Sequence, residues 1–165
     1  MNLDNWLAVV FDTSKYKIKA EITKVIMDHN ERGVLLSSFA GTSCIKVGFN
    51  ALTLEINEVF TKLSELKYFN MKDLKFVYLK VYDFIENQRN EIIEQTEITN
   101  YTPEINFIDR YLNECRAHLE LRTEVYKQII MERKRKFYWD FFKIIISAVI
   151  GGLIGGYISK YIFLK

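Results

Sequence analysis

Along most of the chain the apolar positions recur at steps of three and four, the signature of helices with one buried stripe. Leu52, Ile56, Val59, Leu63 and Leu66 form one such stripe, with Glu58, Lys62 and Glu65 on the opposite face. A second helix is expected to start at Asn70, a good N-cap with Asp73 in the first turn, and to run towards Glu97. Its apolar face carries Leu74, Tyr78, Val81, Ile85 and Ile92, interrupted by Gln88. The segment Asn100 to Glu104 reads as a turn followed by Pro103 at a first helical position, with Thr102 as the expected cap. Beyond it Ile105, Ile108, Leu112, Cys115, Leu119, Tyr126 and Ile129 repeat at heptad spacing, with Arg122 standing where an apolar residue belongs. Both Gln88 and Arg122 are read as edge positions whose side chains reach water, a buried polar contact being the alternative.

The first fifty residues are less periodic. Lys15 to Ile22 alternates like a strand, yet Ile18, Ile22, Val25, Ile26 and His29 fit a helix. We read a helix capped near Asp12 and ending at Asn30 to Gly33. Between Val34 and Asn50, around Gly41 and Gly48, a short helix, a hairpin and a packed loop all fit.

Near the C-terminus the pattern loses its polar face. Residues 144–164 read IIISAVIGGLIGGYISKYIFL, a run of 21 with one charge. At ~1.5 Å per residue such a run just spans a hydrocarbon core of roughly 30 Å. Lys160 and Lys143 lie near its two ends, where their stems can carry the charge to the headgroups. Phe137, Tyr138, Trp139, Phe141 and Phe142 precede the run, and Tyr157, Tyr161 and Phe163 lie towards its end, as in an interfacial aromatic belt. Neither glycine nor proline separates the heptad segment from this run, so residues 103–164 are expected to form one helix, or one helix bent near Tyr138.

Within the run, Ser147, Gly151, Gly155 and Ser159 recur every four residues, and Ala148, Gly152 and Gly156 form an adjacent stripe. Small residues so spaced let helix backbones approach closely in lipid, so this face predicts self-association. Arg133, Lys134, Arg135 and Lys136 stand before the span, against Lys165 alone beyond it. The excess of cations on the near side keeps that side in the cytoplasm. The same cluster either only sets topology or engages anionic lipid of the inner leaflet.

The net charge of +2 conceals an asymmetry. Residues 1–132 carry 16 Lys and Arg against 20 Asp and Glu, whereas residues 133–165 carry 7 against 1. A domain without basic excess is not expected to bind nucleic acid generally. Cys44 and Cys115 belong to no metal or redox motif and suit two lone thiols in a reducing compartment. The apolar stretch Trp6 to Phe11 is too short, and lacks the preceding basic residues, for a signal sequence.

No Walker lysine, dinucleotide glycine pattern, nucleophile elbow or zinc spacing occurs, and neither a cofactor nor a catalytic metal is expected. Arg110, Asn113, Arg116 and His118 sit together after Pro103. This set resembles that of HEPN ribonucleases, where an arginine and a nearby histidine on one helix act on the RNA backbone. Here seven residues separate Arg110 from His118 and Tyr111 follows Arg110, a departure in both spacing and neighbour. Exposure on the outer face of the helix is the simpler reading, and no catalytic residue is assigned.

The fold class expected is therefore mainly α. A cytoplasmic helical bundle (residues 1–136) contains a long helical hairpin that continues, through a basic and aromatic interfacial segment (137–143), into one transmembrane helix (144–164). In layout the chain resembles small single-span membrane effectors of prokaryotic immune systems. That resemblance implies a homo-oligomer that perturbs the membrane in antiviral defence, with a cytoplasmic protein partner or a ligand supplying the signal. The rival expectations are a passive anchor that recruits a cytoplasmic partner and, as the HEPN resemblance implies, a membrane-tethered ribonuclease.

Overall fold

In the computed structural model of the chain the described residues are 2–66 and 70–162, with side-chain surroundings described as far as Gly152 and at Ile154. They form four α-helices: α1 (Leu3–Glu31), α2 (Ser38–Ser64), α3 (Met71–Thr96) and α4 (Ile105–Ile162). A single 3-10 turn, Glu97–Thr99, follows α3. Two compact units divide the chain, residues 1–127 and residues 128–165.

Helices α1, α2 and α3 each start where a polar side chain satisfies orphan amides. The Asn2 side chain accepts from the Asp4 amide, and the Ser37 hydroxyl accepts from Ala40. At α3 the expected signal is met in full. Asn70 caps Lys72 and Asp73, while the Asp73 carboxylate accepts from the Asn70 amide, a reciprocal capping box. Helix α1 ends as read, at Gly33, whose φ of +70° places it in the left-handed region that only glycine enters without strain.

Cross-helix pairs fix the directions. His29 to Phe39, Ile22 to Gly48 and Ser14 to Glu55 run in opposite senses along α1 and α2. Asp4 to Lys80, Phe11 to Phe84 and Lys15 to Glu91 advance together along α1 and α3. Phe49 to Tyr111, Thr53 to Cys115, Asn57 to Arg122 and Phe60 to Tyr126 advance together along α2 and α4. Arg89 to Asp109 and Glu86 to Arg116 make α3 and α4 antiparallel. The unit is thus an up-down-up-down bundle in which α1 and the first part of α4 both lie against α2 and α3.

Helix α2 is the hub. Its buried set runs from Ala40 to Leu63 and takes in Gly41, Cys44, Ile45, Gly48, Phe49, Leu52, Ile56, Val59 and Phe60, more than one face of the helix. The glycines permit this. A Cβ on Gly41 would lie 2.3 Å from Tyr101 Cβ, and one on Gly48 would lie 2.9 Å from the Ile92 side chain. Among the open readings of residues 34–50, helix is therefore the outcome from Ser38 onward. The helix anticipated around Leu52 to Leu66 is its second half.

Other boundaries move as well. Helix α1 begins nine residues before Asp12, so Asp12 lies inside the helix rather than at its cap. Helix α4 begins at Ile105, and the Glu104 carbonyl accepts from the amides of Phe107 and Ile108, so neither Thr102 nor Pro103 has the expected position. Gln88 is 1% exposed, not an edge residue, and Arg122 is half-buried with its Nε donating to Asn57 Oδ1 at 2.6 Å.

Candidate functional site

Two regions carry the residues singled out from sequence, and each is held by α4. The first lies in residues 105–127, where α4 packs in the bundle. Cys115 is 1% exposed; its thiol meets Thr53 Oγ1 at 3.3 Å and the Phe49 carbonyl at 3.7 Å. Burial pushes its pKa up to about 11, and burial likewise raises that of Cys44. Both cysteines are free. Such thiols are packing residues, since the nucleophile is the thiolate and these sites disfavour it.

The residues of the ribonuclease-like set are engaged individually. Arg110 pairs with Glu114 at 3.5 Å on the exposed face and lies over the Tyr111 ring. Arg116 is half-buried; its Nε and Nη2 both donate to Glu86 Oε1, Nη1 donates to Asn113, and the guanidinium lies 5.5 Å from the Tyr82 centroid. The Glu86 hydrogen bond raises the Arg116 pKa further, fixing an ion pair between α3 and α4. Residues 110 and 118 are eight positions apart, about 12 Å along a helix, and residues 116 and 118 point about 160° apart. The arrangement brings together a bundle staple rather than an arginine and histidine aimed at one atom.

A further polar cluster had no signal in the sequence pattern. Ser14 Oγ donates to Glu55 Oε2 at 2.8 Å, and Lys17 Nζ lies 3.1 Å from Glu55 Oε1 and 3.7 Å from Glu58. Hydrogen bonding to Glu55 raises the Lys17 pKa, and hydrogen bonding to Lys62 lowers that of Glu58. These residues join α1 to α2. The Ser14 and Lys17 hydrogen bonds to the Glu55 carboxylate tie the two helices together.

The second region is the continuation of α4 in residues 128–154. Arg133, Lys134, Arg135 and Lys136 are all exposed. Consecutive helical residues turn by about 100°, so the four cations encircle the helix instead of lining one side. The next turns carry Phe137, Tyr138, Trp139, Phe141 and Phe142, each more than half exposed. Lys143 extends back over the Trp139 ring, 5.7 Å from its centroid, and lies 4.0 Å from Asp140.

Beyond Lys143 the exposed large residues are Ile144, Ile145 and Ile146, which point in three directions around the helix, and Val149, Ile150 and Ile154, which share one broad side of it. Ser147, Ala148, Gly151 and Gly152 are exposed, and a Cβ built on either glycine meets nothing within 4 Å. The surroundings of Gly155, Gly156 and Ser159, and residues 163 and 164 of the expected span, lie outside the described residues. Among the described residues no helix is long and apolar enough to cross a membrane. The described side chains include only the first half of the 21-residue apolar run, too few for a span by themselves.

Comparison with protein-family models, with curated proteins and with solved structures finds no match to this chain.

Proposed function

We propose that this chain is a non-enzymatic single-pass membrane protein. Its C-terminal helix inserts in the bilayer, self-associates through its small-residue face and, once assembled, perturbs or permeabilises the membrane as an effector. The observation that carries the reading is the sleeve of uncovered apolar side chains from Phe137 to Ile154. A helix apolar on all sides belongs in a protein core or in lipid, and water is the costliest surrounding for it. The remaining apolar residues to Leu164 supply the length a span needs.

The other roles follow from position. The cations before the sleeve keep the four-helix unit on the cytoplasmic side. Ser147, Ala148, Gly151 and Gly152, continued in sequence by Gly155, Gly156 and Ser159, leave one side of the span nearly bare, so a second copy can pack backbone against backbone. The four-helix unit then acts as the part that receives a signal, in the layout of single-span defence effectors.

The test is inducible expression of the intact chain and of a Gly151→Leu/Gly155→Leu variant in a bacterium. Membrane potential is followed with a dye, and equal insertion of the two is verified. Depolarisation by the intact chain and not by the variant is expected. Depolarisation by neither would make the span a passive anchor that recruits a cytoplasmic partner, because an anchor needs only an apolar helix.

A further inference from the structure

We infer that the collar Arg133 to Lys136 binds the headgroups of anionic phospholipid, selecting an anionic lipid annulus around the helix. The inference rests on the span proposed above and adds to it a partner of stated chemistry. The charge, the order of side chains along the helix and their spacing from the apolar run point to it.

The four side chains are exposed, and among the described residues no ion pair engages any of them. In the four-helix unit most of the described cations, Lys15, Lys17, Lys62, Lys80, Arg89 and Arg116 among them, meet a carboxylate. Of those without an ion pair among the described residues, Arg122 donates to Asn57, and Lys19, Lys46, Lys72 and Lys75 are scattered along three helices instead of adjacent in one turn. Charge left uncompensated by the protein is available to an anion outside it.

Second, the geometry is that of a ring. Steps of about 100° send the four cations in four directions. A helix lying in the membrane plane would show its cations on one face and its apolar residues on the other. Here the cations, then the aromatic rings, then the aliphatic residues succeed one another along the axis, as suits a helix that enters the bilayer end-on.

Third, the spacing suits the layer. Lys136 lies eight residues before Ile144, about 12 Å along the axis. Arg133 lies three residues further out, at about 17 Å. With roughly 5–7 Å of headgroup on each side of the hydrocarbon, the cations stand just outside that layer. They lie within one decay length, roughly 10 Å, of the negative surface, and their long stems can reach back to the headgroups. The aromatic side chains of Phe137 to Phe142 occupy the interfacial depth between, where such rings are favoured. The four-helix unit, with more acidic than basic residues, adds no attraction of its own to such a surface.

The test uses the full chain carrying Trp6→Phe, so that Trp139 is its one tryptophan, reconstituted in phosphatidylcholine vesicles. A fixed small fraction of lipid is brominated, as phosphatidylglycerol in one series and as phosphatidylcholine in the other. Quenching of Trp139 then reports which lipid is its neighbour. Preferential quenching by the anionic lipid is expected, with a relative association constant of about five-fold per engaged cation. The preference should weaken in high salt and vanish when all four cations are replaced by Gln.

Equal quenching by the two brominated lipids would overturn the inference and leave the collar a topology signal only. A preference that survives the fourfold Gln substitution would also overturn it, by moving the selectivity to another residue. Absence of quenching in vesicles made wholly of brominated phosphatidylcholine would instead sink the membrane span, a separate and recognisable failure.

Discussion

Gly41 shows how one missing methyl group decides a helix contact. The Tyr101 side chain fills the space that a Cβ at this position would need, and no flexible end is available to move aside, because the nearest atom is the Tyr101 Cβ itself. Gly41→Ala should therefore destabilise the four-helix unit by about 1–3 kcal/mol, the range for overpacking a tight core. Chemical denaturation in detergent, followed by helical circular dichroism, measures it. Cys115 makes a second prediction. Its folded pKa is raised to about 11 from a reference of 9, so folding favours the protonated thiol. Stability from this group is intact below pH 9 and declines as pH rises towards 11. The same denaturation run at pH 8 and pH 10.5 should show a loss that is smaller in Cys115→Ser, compared with its own value at pH 8. The residue scale also holds the misread positions. Gln88 and Arg122 break apolar stripes in the same manner, yet Gln88 is buried while Arg122 reaches Asn57. Which way a polar side chain goes depends on what stands opposite it, and that partner lies 65 residues away for Arg122.

Helix starts separate into those set locally and those set by neighbours. The α3 start was legible because the capping box uses only Asn70 and Asp73. Asn70→Ala should cost about 1 kcal/mol, the usual loss on removing an N-cap, and should leave the spectrum of the folded state unchanged. A thermal melt compared with the intact chain checks it. The α1 and α4 starts were misplaced for opposite reasons. Asn2 caps α1 ahead of an apolar stretch that carries little helical pattern by itself, and one residue, Glu104, separates Pro103 from the first residue of α4. The first half of α2 was left open because Gly41, Thr42, Ser43 and Gly48 are poor helix formers. Tertiary burial outweighs that propensity, since the same small residues admit Tyr101, Ile22 and Ile92 to the surface of the helix. The expected continuity of α4 is observed over 58 residues from Ile105, without a break at Tyr138.

For the molecule as a whole, two kinds of helix surface are joined in one chain. Residues 1–127 bury their apolar stripes against one another, and ion pairs such as Lys17 with Glu55 and Arg116 with Glu86 join the helices. In the second unit the described large aliphatic and aromatic side chains between Phe137 and Ile154 are exposed. The proposed span gives that surface a surrounding in which it is not penalised, and the collar joins it to the aqueous side. The amino-acid order alone determined the helical class, the α3 and α4 segments, the basic collar and the apolar run, because each follows from periodicity or from residues adjacent in sequence. Tertiary structure alone decided that residues 38–50 are helix, that Gln88 is buried, and that Arg116 pairs with Glu86. Those outcomes depend on side chains tens of residues apart meeting across the bundle, and no local pattern carries that information.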